Sequence, residues 1–346
     1  MGQAALVASA RGGGMRAMQL ESAGSLEEDR VRLVDLPTPE PGPGEVRLRV
    51  RACGVCRTDL HLARGEITPP SFPLIPGHQA VGYVEATGRG ARRFREGDRV
   101  GASWLHSVCG LCGDCTEGRE NLCPQARFTG FHVPGGYAES LILPEAFAHP
   151  LPPGLTEAEA APLLCAGILG YRALRLSGAR AGNRLGLVGF GGSAHLVLQV
   201  ARHEGCEVQV ATRSSPHREL ALRLGATFAG SLAEVPAASW NGAILFAPAG
   251  ELVPAILTRL RPAGVLAVAA IYLGTIPALD YERALFGERV LRSVTASTRR
   301  DGEEFLRLAE SIPVRSEART YPLEQANEAL RDLDHGELRA AAVLTI

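Results

Sequence analysis

Leu185-Gly-Leu-Val-Gly189-Phe-Gly191-Gly192-Ser193-Ala194-His195 reads as a strand, a glycine turn and the opening of a helix. Glycines at 189 and 191 permit the tight turn and let the backbone approach a pyrophosphate at the helix N-terminus. The third glycine of the usual fingerprint is Ala194 here. Downstream, the pattern predicts a helix from Ala194 to His203, a strand Glu207 to Thr212, a helix Arg218 to Leu224, and strands near Ala243 to Phe246 and Val265 to Ala270. Strand–helix–strand units at this spacing imply right-handed crossovers and a parallel, doubly wound sheet. The expected α/β Rossmann domain spans residues 156–296, opened by a helix start at Thr156 with Glu157 and Glu159 behind it.

Upstream the texture differs. Pro37, Pro39, Pro41 and Pro43 lead into Val46 to Val50, where apolar and basic residues alternate with the period of a half-buried strand. Ala80 to Val84 and Gly97 to Val100 read as further short strands between Gly and Asp turns. Residues 15–155 therefore form a β-rich domain, and the final segment, 297–346, is expected to pack back on it. Two domains suit a chain of 346 residues. Residues 1–14 carry an apolar patch, Ala4 to Ala8, with no basic residue before it, unlike a secretory signal. They read as a disordered tail, with Met15 starting the folded chain, and the cytoplasm is the default location.

Composition excludes several functions. Thirty-six basic residues against thirty-seven acidic ones leave a net charge of −1, so no global field invites nucleic acid or an anionic membrane. All the basic residues are arginine, which removes Schiff-base lysine chemistry and the lysine-dependent phosphate loop. The longest apolar runs, such as Gly264 to Leu273, are about half of what spans a bilayer.

The eight cysteines are clustered. Cys109-x2-Cys112-x2-Cys115-x7-Cys123 supplies four thiolates from one loop, a set that closes the shell of a tetrahedral zinc and leaves no place for substrate. Such a site is structural; an iron–sulfur cluster or four free thiols are the other readings. Cys56, His78 and Cys165 are soft or imidazole donors that could hold a second, catalytic zinc, although spacing alone does not show that they converge. Cys53 and Cys206 fit no metal set and read as small core residues. His106, His132, His149 and His335 read as loop or surface residues, and Glu27 to Arg30 as a solvated charge run.

The string Gly54-Val-Cys56-Arg57-Thr58-Asp59-Leu-His61, then Gly77-His78, then the cysteine quartet, then Leu164-Cys165-Ala-Gly167, in this order, resembles the zinc-dependent alcohol dehydrogenases of the medium-chain dehydrogenase/reductase superfamily. The resemblance covers the chain from about Met15 onward and implies a GroES-like catalytic domain beside the Rossmann domain. It implies that Cys56, His78 and Cys165 hold a catalytic zinc, with Asp59 orienting His78. Thr58 and His61 match the family's proton relay to solvent, and Trp104 falls at an aromatic wall of its substrate pocket. Gln79 stands where the family usually has glutamate, which removes a negative charge near the metal. Arg57 and Arg299 match positions near the cofactor. The family's Gly-Arg near the C-terminus is missing from Arg339-Ala-Ala-Ala-Val343.

Expected cofactors are two zinc ions per chain and a nicotinamide dinucleotide. The second strand ends Ala211-Thr212-Arg213-Ser214-Ser215, with Arg218 one turn on and no acid to clasp a ribose, so NADP(H) is favoured over NAD(H). The nucleotide contacts are then Gly189, Gly191, Gly192, Ser193, Thr212, Arg213, Ser214 and Arg218. The implied reaction moves a hydride between an alcohol or aldehyde and the nicotinamide. Polyols or bulky aromatic aldehydes are the variant substrates, and a non-catalytic zinc- and nucleotide-binding module is the rival from another class. The family also implies a homodimer or homotetramer.

Overall fold

A computed structural model describes residues 13–312 and 314–346. Six parallel strands form one sheet in the order Phe228–Gly230, Glu207–Ala211, Arg184–Val188, Trp240–Leu245, Leu260–Val268, Val290–Ser293. By chain order this is 3-2-1-4-5-6, the doubly wound arrangement expected, with its switch point beside Arg184–Val188. The apolar runs become strands buried on both faces, as in a sheet covered by helices. The predicted elements hold in type and shift at their ends. The helix expected from Arg218 begins at Ser215, because Pro216 suits a first turn and Ser214 stands at the cap. The strand expected at Gly97 begins at Arg99, because Arg95 to Asp98 close a turn and Gly97 has a φ of 88°.

A seven-stranded sheet builds the rest around the long strand Glu45–Val55. Its order is Ala318–Pro322, Ala341–Thr345, Glu45–Val55, Ala80–Thr87, Arg99–Ala102, Ala148–Pro150, with Ser140–Pro144 also paired to the central strand. Residues from the last thirty of the chain thus complete a sheet begun near its start. Gly14–Leu20 pairs antiparallel with Val31–Pro37. The first described strand begins at Gly14, one residue before the expected Met15; residues 1–12 of the expected tail lie outside the described residues.

One apolar core joins the two sheets. Ala52 and Val81 of the seven-stranded sheet pack in the same buried cluster as Leu163, Leu164, Leu187, Val197 and Phe305. Among the described residues no helix is long and apolar enough to cross a membrane. His149 and His106, read from the sequence as loop or surface positions, are both buried. His149 sits at the joint: its Nε2 is 3.1 Å from Ser103 Oγ, and a Cβ on Gly302 would lie 2.5 Å from its ring. Burial, with Arg93 and Arg299 adding to it, pushes its pKa down to about 4.

Candidate active site

Three separate segments bring three donors together. Cys56 caps the helix Arg57–Arg64 directly after the central strand, His78 precedes the strand Ala80–Thr87, and Cys165 breaks a short turn (Ala161–Leu164) from the helix Ala166–Leu176. Their donor atoms all lie within 4.8 Å of one another, and His78 Nε2 is 3.3 Å from Cys165 Sγ. A tetrahedral ion with ligands at about 2.0–2.3 Å spaces them by roughly 3.3–3.8 Å, so the set fits zinc. No fourth His, Cys, Asp or Glu joins the group among the described residues.

Asp59 supports this cluster from beneath and is itself buried. Its carboxylate accepts the backbone N–H groups of Cys56 at 2.8 Å and Gly77 at 3.1 Å, and lies 3.7 Å from His78 Nδ1. It thereby locks two ligand-bearing segments together. Without a metal, burial disfavours the charged form of His78, but the Asp59 carboxylate and Cys56 outweigh it and the pKa is pushed up to about 10. Cys56 is held well below the usual thiol range by the hydrogen bond from Cys165 and by His78. A thiolate beside imidazole and thiol is the donor chemistry a zinc ion uses.

The remaining expected site residues fall as follows. Thr58 is buried, its Oγ1 3.8 Å from Cys56 Sγ. His61, one turn on, is buried and its Nδ1 hydrogen-bonds Glu66. Trp104 meets the His78 ring edge-on at 4.8 Å and stacks on Phe128 at 5.0 Å, with Phe131 tilted at 5.8 Å. Phe128 and Phe131 extend this wall. They had no signal in the sequence, since they lie in an aperiodic stretch around the two-residue strand Arg127–Phe128. Gln79 is buried, and its backbone carbonyl accepts the Gly54 N–H at 3.0 Å.

The quartet is a separate, local construction. Sγ atoms are 3.5 Å apart for Cys112 and Cys115, 3.6 Å for Cys109 and Cys123, and 3.9 Å for Cys109 and Cys115. Those spacings match the ~3.8 Å edge of a zinc–thiolate tetrahedron and are far beyond a disulfide. The backbone N–H groups of Leu111 and Cys112 aim at Cys109 and lower its pKa to about 6. The loop is tied to the start of the helix Arg299–Ser311: Glu120 accepts from Arg299 N and Nε, both at 3.1 Å, and Asn121 Nδ2 donates to Thr295 O at 2.7 Å. Arg299, expected near the cofactor, donates its Nε to Glu120 and lays its guanidinium over Phe147.

At the nucleotide end, Gly189 has a φ of 83° and a Cβ there would sit 2.7 Å from Ala247 N, so only glycine fits the turn. A Cβ on Gly191 would meet nothing within 4 Å, leaving the open cradle a pyrophosphate needs beside Gly192 and Ser193. A Cβ on Gly192 would lie 3.8 Å from that of Ala166, the residue after Cys165, and 3.4 Å from Ala340 O. The glycine turn and the metal trio therefore adjoin. Arg57 and Arg213 are exposed; Thr212 is half-buried, and its carbonyl accepts from Arg218 Nε at 2.9 Å. Ser214 stands at the cap of the helix Ser215–Arg223 without a side-chain capping hydrogen bond.

Residues 42–153 match the family model described as alcohol dehydrogenase GroES-like domain. The chain is 47% identical over 337 residues to the "Probable alcohol dehydrogenase AdhA" of Mycobacterium tuberculosis, covering 96% of this chain and 97% of that protein. Among solved structures it is similar to a cinnamyl alcohol dehydrogenase from Sorghum bicolor, with a TM-score of 0.88, 27% identity, and 96% and 98% of the two chains covered. A cobalt- and zinc-bound thermostable alcohol dehydrogenase from Pyrobaculum aerophilum gives a TM-score of 0.88 at 26% identity, covering 96% and 100%.

Proposed function

This chain belongs to the zinc-type alcohol dehydrogenases of the medium-chain dehydrogenase/reductase superfamily, and on that premise we propose that it oxidises alcohols and reduces aldehydes with NADP(H). The observation that carries the reading is the meeting of Cys56, His78 and Cys165 beside a dinucleotide-type glycine turn. Each half alone would suit a binding module; adjoining, they suit hydride transfer. Residues 15–155 and 297–346 would form the catalytic domain and 156–296 the nucleotide domain, an assignment the shared seven-stranded sheet supports.

Cys56, His78 and Cys165 would hold the catalytic zinc, and Cys109, Cys112, Cys115 and Cys123 the structural one. When bound, zinc polarises the substrate oxygen as a Lewis acid and the nicotinamide exchanges a hydride with the substrate carbon. The chain's own residues do the rest. Asp59 fixes the ring of His78 and the backbone of Cys56. Trp104, Phe128 and Phe131 wall the pocket against water and present flat faces that suit aromatic aldehydes as the variant substrates. Thr58 accepts the hydroxyl proton of the alcohol and hands it to His61, which releases it to solvent; reduction runs the same steps in reverse. The family further points to a cytoplasmic homodimer or homotetramer.

Arg213, with Thr212, Ser214 and Arg218 around it, would receive the 2′-phosphate. One charge-assisted hydrogen bond to that group contributes about 1.5–3 kcal/mol, or a preference of roughly 10- to 150-fold. Steady-state kinetics with both cofactors should give the higher kcat/KM with NADP(H), and Thr212→Asp combined with Arg213→Ala should swing it toward NAD(H). A native preference for NAD(H) would overturn the assignment.

A further inference from the structure

His61 is fixed by a residue that lies just beyond its helix. The helix Arg57–Arg64 ends at Gly65, whose φ of 77° turns the chain back. The Gly65 N–H then donates to Leu62 O at 3.1 Å and the Glu66 N–H to His61 O at 2.9 Å, a paired helix termination that needs a left-handed residue. As a result the Glu66 side chain folds over the helix end and its Oε2 shares a short hydrogen bond with His61 Nδ1. The imidazole is 6% exposed and the Glu66 side chain 30% exposed, so the pair runs from the interior to solvent.

The other groups facing this pair are few. Arg64 Nη1 lies 3.9 Å from Glu66 Oε1 and is anchored in turn by Asp334 of the helix Ala326–His335. The Tyr272 ring, from the segment after the strand Leu260–Val268, sits 5.6 Å from the His61 ring.

An ionised carboxylate can only accept, so Nδ1 must carry the ring proton and Nε2 is left with a free lone pair. A relay base has to present a free nitrogen to the incoming proton. We infer that Glu66 is a positioning residue of the proton relay, selecting the His61 tautomer whose Nε2 accepts. Nε2 takes the proton that left the alcohol, the imidazolium so formed is paired with the Glu66 carboxylate, and the same proton leaves to water; Glu66 itself stays ionised. The inference rests on the relay role of His61 proposed above.

Glu66→Ala and Glu66→Gln test it in the zinc-loaded enzyme, with Glu66→Asp and His61→Gln alongside. Near neutral pH, kcat for alcohol oxidation should fall roughly tenfold in the first two, a fraction of what a general base contributes. Added imidazole should restore much of it, and Glu66→Asp should lie near the parent. Nitrogen-15 spectra of histidine-labelled protein should show His61 protonated on Nδ1 in the parent and a mixture of tautomers in Glu66→Ala, with unchanged zinc content and Tm. If His61→Gln slows the reaction while Glu66→Ala keeps both the parent rate and the Nδ1 proton, the role of Glu66 is overturned and the relay stands. If His61→Gln leaves the rate unchanged, the relay reading falls and this one with it.

Discussion

The two candidate metal sites are built on opposite plans. Cys109, Cys112, Cys115 and Cys123 come from one loop of fifteen residues, are half-buried apart from the buried Cys123, and are tuned by N–H groups of the same loop. Cys56, His78 and Cys165 come from three segments as far apart as 109 residues, set the buried His78 with two half-buried cysteines, and rely on the buried Asp59 carboxylate to hold the first two segments together. A loop cluster gains its order from the metal; a dispersed cluster gains it from the fold. The first should therefore govern stability and the second activity.

The sharpest way to break that division is to cut each cluster singly. His78→Ala should lower kcat/KM by roughly a thousandfold or more, since a Lewis acid is worth several kcal/mol in the transition state. Its Tm should stay near the parent, and elemental analysis should fall from two zinc ions per chain to one. Two zinc ions retained in an active His78→Ala protein would refute the trio as ligands.

Cys112→Ser should show the converse: one zinc lost and a Tm lowered by many degrees, because structural zinc contributes directly to folding. The fraction still folded should turn over at near the parent rate. A large loss of kcat at unchanged Tm would mean that the loop acts on the active site, and Glu120, which joins the loop to Arg299, would then be the route.

Two buried imidazoles sharpen the point about support. His78 is pushed up to about 10 where Asp59 faces it, whereas His149, with arginines nearby and no carboxylate, is pushed down to about 4. For His149 the folded state binds fewer protons than the unfolded one between pH 6.5 and 4. Its stabilisation is complete above pH 6.5 and is lost as pH falls through that window, by roughly 3 kcal/mol. Urea unfolding from pH 7.5 to 4.5 should show His149→Gln losing less stability than the parent. Parallel curves would mean that the ring is not held neutral.

The smallest expected effect concerns Asp59. Asp59→Asn keeps the shape and weakens the hold on His78, so zinc affinity at the trio should drop roughly 10- to 100-fold while the quartet is untouched. Competition with a chelator reads both sites at once. Equal weakening at the two would show a loss of fold instead.

The same division explains what could be read in advance. The quartet was legible because its four donors are neighbours in sequence, and the parallel sheet because the apolar strands alternate with helices at a fixed spacing. The trio can be named from its donor types, but that the three converge follows from the sequence only through the family resemblance, since 87 residues separate His78 from Cys165. His149 was misread because nothing near Ala148-His149-Pro150 signals that the strand is covered by Gly302 from 153 residues away. Arg299 pairs with Glu120, a partner 179 residues away that no local pattern announces.

The elements, their alternation, the glycine turn at 189 and the spacing of the cysteine quartet are local features, each carried by residues within a few positions of one another. Which donors meet, which imidazoles are buried, and the nearness of the glycine turn to Cys165 are set by long-range packing. Those facts depend on a sheet that joins residues 45–55 to residues 341–345, and on packing between helices that local pattern does not encode.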